Sequence, residues 1–188
     1  FLYGSATTIV PHEIISSGAN CNKCHDDLAF HGGGRRGTEA CLTCHSISGA
    51  ASALVVTPTT QSVAVEFRQM LHKIHMGEEL TNATTYTVAG RSSAYVYGRV
   101  GFPALPERVK ECTKCHGNDA WHGPQDRNHP TAQVLPTRVW RSTCGACHDS
   151  VSAAAHIDSN TSPSGVESCE VCHGAGRVED VAGIHVPR

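Results

Sequence analysis

The sequence predicts a chain that is mostly coil, with short α-helices and a minor β-hairpin, folded around bound groups rather than around its own side chains. Three observations carry this expectation. Leu, Ile, Val and Phe supply only 36 of 188 residues, thin for a self-sufficient apolar core. The formal net charge is only −2, whereas a disordered chain of such low hydrophobicity carries high net charge. Ten cysteines and 13 histidines crowd a chain of single-domain length.

The cysteines say what the bound groups are. All ten fall into five CxxC pairs, each followed at once by histidine: Cys21–Cys24–His25, Cys41–Cys44–His45, Cys112–Cys115–His116, Cys144–Cys147–His148 and Cys169–Cys172–His173. Two thiols three residues apart on one helical turn reach the two vinyl positions of one porphyrin, and the next imidazole lies under the iron. A zinc ribbon is the bland alternative, since 16 residues separate Cys24 from Cys41. Histidine is 13 of 188 residues, so its appearance after every pair is roughly a one-in-a-million coincidence. Five half-sites also do not pair off into zinc centres. A disulfide framework leaves the histidines unexplained, and a thioredoxin-like motif needs only one pair. The chain therefore reads as a haem-organised multihaem cytochrome c with five haem c groups, and the macrocycles explain the thin core.

The coarse elements follow. Gly49 to Thr60 is small and polar and reads as a loop. Val65 to Met76 reads as a helix with an apolar stripe of Phe67, Met70, Leu71 and Ile74, and with His72 and His75 on one side. Thr84 to Val100 alternates β-branched and aromatic residues around Gly90, a hairpin pattern. Its Tyr86, Tyr95 and Tyr97 either cover haem edges or pack on a strand surface. Pro103 and Pro106 then break the chain. Residues 1–20 read as an N-terminal arm and 21–188 as a single pentahaem domain.

Each iron needs a sixth ligand. Eight histidines lie outside the motifs: His12, His31, His72, His75, His122, His129, His156 and His185. Only Met70 and Met76 offer a thioether, so five bis-histidine irons are the simplest expectation, and His/His ligation keeps potentials low. His31 precedes three glycines that let the backbone approach a porphyrin face, then Arg35 and Arg36, which suit propionates. His156 and His185 flank the last motif. His122 and His129 lie in a turn-rich stretch and read as exposed residues or propionate partners.

The stretch CNKCHDDLAFHGGGRRGTEACLTCH, followed by FRQMLHKIHMG and then FPALPERVKECTKCH, CGACHD, CEVCH and His185, resembles the pentahaem domains of outer-membrane decahaem cytochromes of the MtrC/OmcA type. The resemblance spans roughly residues 20 to 185. It implies that His31, His72, His75, His156 and His185 are the distal ligands, that the haems pack at near-contact distance, and that electrons pass to metal oxides, flavins or electrodes. Members of that family carry two such domains, each accompanied by a sheet domain.

The functional expectation is an electron carrier, not an enzyme. Thioether attachment occurs outside the cytoplasm, which points to an extracytoplasmic protein, at the cell surface or extracellular rather than periplasmic. Expected partners are other redox proteins or like subunits, with extracellular metal oxides or flavins as acceptors. Scattered basic residues give no case for nucleic acid. Ile47 to Val56, the longest weakly polar stretch, is far too short for a transmembrane segment. The sequence opens on Phe1 with no charged leader, so any signal peptide reads as already removed. Two other functions stay open. A conductive filament, a homopolymer, would use the partly apolar arm, with His12 as an inter-subunit ligand. A haem-based reductase would need one open iron, which the surplus of histidines opposes.

Overall fold

The computed structural model describes residues 4–5, 7–8, 18–45, 61–62, 65–89, 94–103, 108–110, 112–116 and 139–185. Readings of His12, His122, His129, the Gly49–Thr60 loop and Ile47–Val56 fall outside the described residues.

Short helices and coil dominate, as the composition predicts. In chain order the helices are α1 (Gly18–His25), α2 (Gly37–Leu42), α3 (Phe67–Met76), α4 (Val139–Cys147), α5 (Val151–Ser159), α6 (Glu170–His173) and α7 (Val181–Ile184). Helix α1 begins inside the stretch read as an arm. Strands β1 (Ala29–Phe30) and β2 (Arg35–Arg36) form an antiparallel pair about the glycine turn. Strands β4 (Tyr86–Ala89) and β5 (Ala94–Val96) are the expected hairpin, in register Thr87 to Val96, Val88 to Tyr95 and Ala89 to Ala94. Strand β3 (Gln61–Ser62) adds to it in parallel, which makes the sheet mixed. Among the described residues no helix is long and apolar enough to cross a membrane.

Helix α3 starts at Phe67, two residues after the Val65 that the pattern gives, and ends at the expected Met76. The Glu66 carboxylate caps it by accepting from the Gln69 N–H at 3.2 Å. Gly77 ends it at φ +45°, so close to the next layer that a Cβ there would sit 2.0 Å from the Val100 carbonyl oxygen. Beyond the helix lies the one apolar cluster among the described residues, Leu80, Ala83, Tyr86 and Tyr97, with Ile74, Met76 and Val88 packed on it. Tyr86 and Tyr97 are thus core residues, and only Tyr95 faces out. Burial pushes the Tyr97 hydroxyl up to about 12.

Helix α3 packs along α4. Asp149, just past α4, ties this layer to the turn after α3. Its carboxylate accepts from the Thr81 and Asn82 N–H groups at 2.9 Å each, and its carbonyl accepts from the Asn82 side-chain amide at 2.9 Å. Burial opposes that charge, but the Asn82 and Thr81 donors outweigh it and hold the carboxyl below its usual range. The ionised form therefore stabilises the fold above the ordinary Asp range, and this contribution is lost as pH falls below it. Asp149→Ala removes the acceptor of both N–H groups, the exposed one of Thr81 and the part-buried one of Asn82. The expected loss at pH 7 is about 1–3 kcal/mol, with a thermal midpoint lower by roughly 2–4 °C per kcal/mol. An unchanged midpoint in calorimetry counts against this tie.

Candidate metal centres

Each motif folds as one helical turn, which is what its spacing requires. The first lies in α1. In the other four, the motif histidine donates its N–H to the carbonyl of the first cysteine: His45 to Cys41 at 2.9 Å, His116 to Cys112 at 2.9 Å, His148 to Cys144 at 2.8 Å and His173 to Cys169 at 2.9 Å. None of the ten cysteines is joined to another in a disulfide. Burial, then the neighbouring Cys169 thiol, pushes Cys144 up to about 11, and burial pushes Cys147 to about 11. That is the reverse of what a dithiol oxidoreductase needs in its nucleophile.

Among the described residues, the five histidines of the motifs each face one other histidine. Ring centroids are 6.0 Å apart for His25 and His75, 6.2 Å for His45 and His31, 6.2 Å for His116 and His72, 6.2 Å for His148 and His185, and 6.1 Å for His173 and His156. An iron held between two imidazoles, with donor nitrogens about 2 Å from the metal, sets the centroids about 6 Å apart. Ordinary aromatic pairs also span this distance. The one-to-one matching is the stronger observation: every motif ring has one partner, and the partners are the five histidines singled out from the sequence.

The rings are oriented by their other nitrogen. Nδ1–H groups donate to main-chain carbonyls from His45 to Val65 at 2.7 Å, His72 to Arg68 at 2.7 Å, His75 to Leu71 at 2.8 Å, His173 to Glu179 at 3.0 Å and His185 to Val181 at 3.1 Å. Such a bond turns Nε2 toward a metal and fixes the tautomer. Burial holds His72 below the usual imidazole range, and burial with the neighbouring His185 ring does so for His148. Both shifts favour the neutral ring, the form that binds metal.

Helices position His72, His75 and His156, and His185 caps α7. His31 instead sits at φ +53° between β1 and β2, followed by Gly32 at +72° and Gly33 at +80°. A left-handed non-glycine backbone is uncommon and costs roughly 1–2 kcal/mol. The glycines therefore serve the turn that presents this ring to His45. Arg36, expected near a propionate, pairs with Asp27. Phe67, read from the sequence as part of the apolar stripe, lies 6.4 Å from the His45 ring, and Phe102, which sequence reasoning missed, lies 6.1 Å from the His75 ring. It also missed that Lys73 is buried.

The residues fit five haem c groups. Thiols and rings are matched in number and local geometry, and large apolar side chains stand exposed beside them. Phe30 adjoins His31, Val171 lies inside the fifth motif, and Ile184 adjoins His185. Among the described residues no three His, Cys, Asp or Glu side chains converge as a zinc ribbon would need.

The comparisons agree with this arrangement. The family model for outer membrane cytochrome MtrC/MtrF-like, domains II/IV, matches residues 12–186. The chain belongs to this family. Among solved structures, the outer membrane decahaem cytochrome OmcA matches 96% of this chain at 25% identity and a TM-score of 0.58. The match spans 25% of the OmcA chain, so this MtrC/MtrF-like chain corresponds to about a quarter of that protein. No curated protein matches. The haem-organised fold expected from the motifs is therefore the fold of a multihaem cytochrome c of the MtrC/OmcA type.

Proposed function

We propose that the chain carries five haem c groups, each iron held by two of its own histidines, and that it passes electrons along them. The carrying observation is the one-to-one ring pairing at 6.0–6.2 Å. In this reading the ten motif cysteines anchor the porphyrins. The proximal ligands are His25, His45, His116, His148 and His173, and their distal partners are His75, His31, His72, His185 and His156. The bound haem supplies a one-electron couple. The chain keeps both axial positions filled and sets the spacing.

Neighbouring motif turns give the path an order. Cys21 lies close enough to Cys41 and to Cys115 to affect both thiols, Cys112 to affect Cys147, and Cys169 to affect Cys144. The Asn20 side chain also donates to the Cys115 carbonyl at 2.8 Å. We take the sites to run second, first, third, fourth, fifth, with the second and fifth at the two ends of that order. Membership of an outer-membrane cytochrome family supports an extracytoplasmic, cell-surface role. It also supports other redox proteins as partners, and we propose metal oxides or flavins as acceptors. With every motif ring matched inside the chain, an open-iron reductase gains no support. Nor does a filament joint that uses His12 as a sixth ligand.

The ring planes give the test. They are near-parallel at 18° for His31 with His45 and 16° for His72 with His116, and crossed at 79°, 83° and 89° for the other three. Parallel imidazoles split the iron d orbitals they share, and crossed ones leave them nearly degenerate. Intact mass should give five haems. Electron paramagnetic resonance of the oxidised protein should then divide two to three between rhombic and large-g low-spin signals. Fewer haems, or five signals of one type, would overturn the assignment.

A further inference from the structure

Lys73 lies between His72 and His75, yet only 7% of it is exposed. Its Nζ stands 3.9 Å above the Tyr86 ring, a cation–π contact. The helix that carries it packs on α4, and there the Cys147 thiol meets the His72 carbonyl at 4.0 Å. Lys73 also interacts electrostatically with Cys147 and with Asp149, the residue after His148. A buried cation thus adjoins the fourth motif, on the helix that supplies rings to the first and third.

We propose that the Lys73 ammonium sets the reduction potential of the haem on Cys144 and Cys147, holding it above the value an apolar wall would give. The inference rests on the reading that this motif carries haem. Reduction adds one negative charge at the iron, and a buried cation favours that state with little screening by solvent. Asp149 acts in the opposite direction. Its charge is spread over the Thr81 and Asn82 donors, and it is less buried than Lys73.

The test is a spectroscopic redox titration of the fully loaded protein and of K73M, K73R and D149N. In K73M one-fifth of the haem signal should become about tenfold harder to reduce, a shift of about 59 mV for one electron. K73R should restore the native curve, and D149N should move the same fifth the other way. A role confined to packing on Tyr86 would lower the melting temperature of K73M and leave its potentials in place. Titrations of K73M and native protein that superimpose, with five haems present by mass, overturn this inference alone. A native Cys144–Cys147 peptide that carries no haem overturns the underlying reading as well.

Discussion

Made without haem attachment, the chain is expected to show no cooperative thermal transition and a largely coil-like far-ultraviolet spectrum, whereas the loaded protein melts cooperatively. Among the described residues the buried apolar side chains are Val65, Leu80, Ala83, Tyr86, Tyr97 and Ala146. Fully burying a large one contributes about 1.5–3 kcal/mol, and two of the six are alanines. Val151 and Val178 stand 88% and 95% exposed. Helices α2, α6 and α7 have 6, 4 and 4 residues, too short to persist on their own propensity. The two-residue pairing of β1 with β2 is no better. Porphyrins tethered at five turns would supply both the apolar contact area and the cross-links. A chain with the motif cysteines replaced by serine, followed by circular dichroism and calorimetry, checks this. A sharp transition near that of the loaded protein would mean that the side chains fold the domain unaided.

What could be read in advance was whatever rests on local spacing. The CxxCH turns, α3 and the β4–β5 hairpin all follow from residues within a few positions of one another, and the structure places all three where the pattern does. The set of five distal candidates rested on the family resemblance and not on spacing, and those five rings are the ones that face the motifs. Which ring meets which was not legible. His72 and His75 are three apart on one helix, yet they face His116 and His25, from motifs far apart in the chain. Strand β3 is two residues long and carries no pattern of its own. Asp149 grips a turn 67 and 68 positions away, a contact that periodicity cannot report. Lys73 was hidden for a different reason: a lysine on an amphipathic helix is ordinarily assigned to solvent. Tyr86 and Tyr97 were open between haem edges and strand surface because a hairpin pattern marks two faces without saying which is covered.

Replacing His72 or His75 by alanine is expected to open one iron in each case, and not the same one. The native protein, with every motif ring opposed by another, should leave added carbon monoxide unbound in its reduced form. In His72→Ala the iron at His116 loses its partner, and in His75→Ala the iron at His25 does. About one-fifth of the Soret band should then become high-spin and bind carbon monoxide, and about two-fifths in the double variant. The helix should survive, because alanine has the highest helix propensity and the lost Nδ1 bonds to the Arg68 and Leu71 carbonyls are side-chain bonds. Peptide-resolved footprinting of the carbon monoxide-bound forms should map His72→Ala to the third motif and His75→Ala to the first. A native spectrum that already shifts by one-fifth would revive the open-iron reductase. Variants that stay six-coordinate would mean that another histidine can reach the iron, and His12 would then be the first to replace in the same background. The two variants also weigh the path itself. The first and third sites are interior steps in the proposed order, so raising either potential by loss of its ligand should slow electron passage between the second and fifth ends. Opening the fifth site through His156→Ala should change exchange at that end alone.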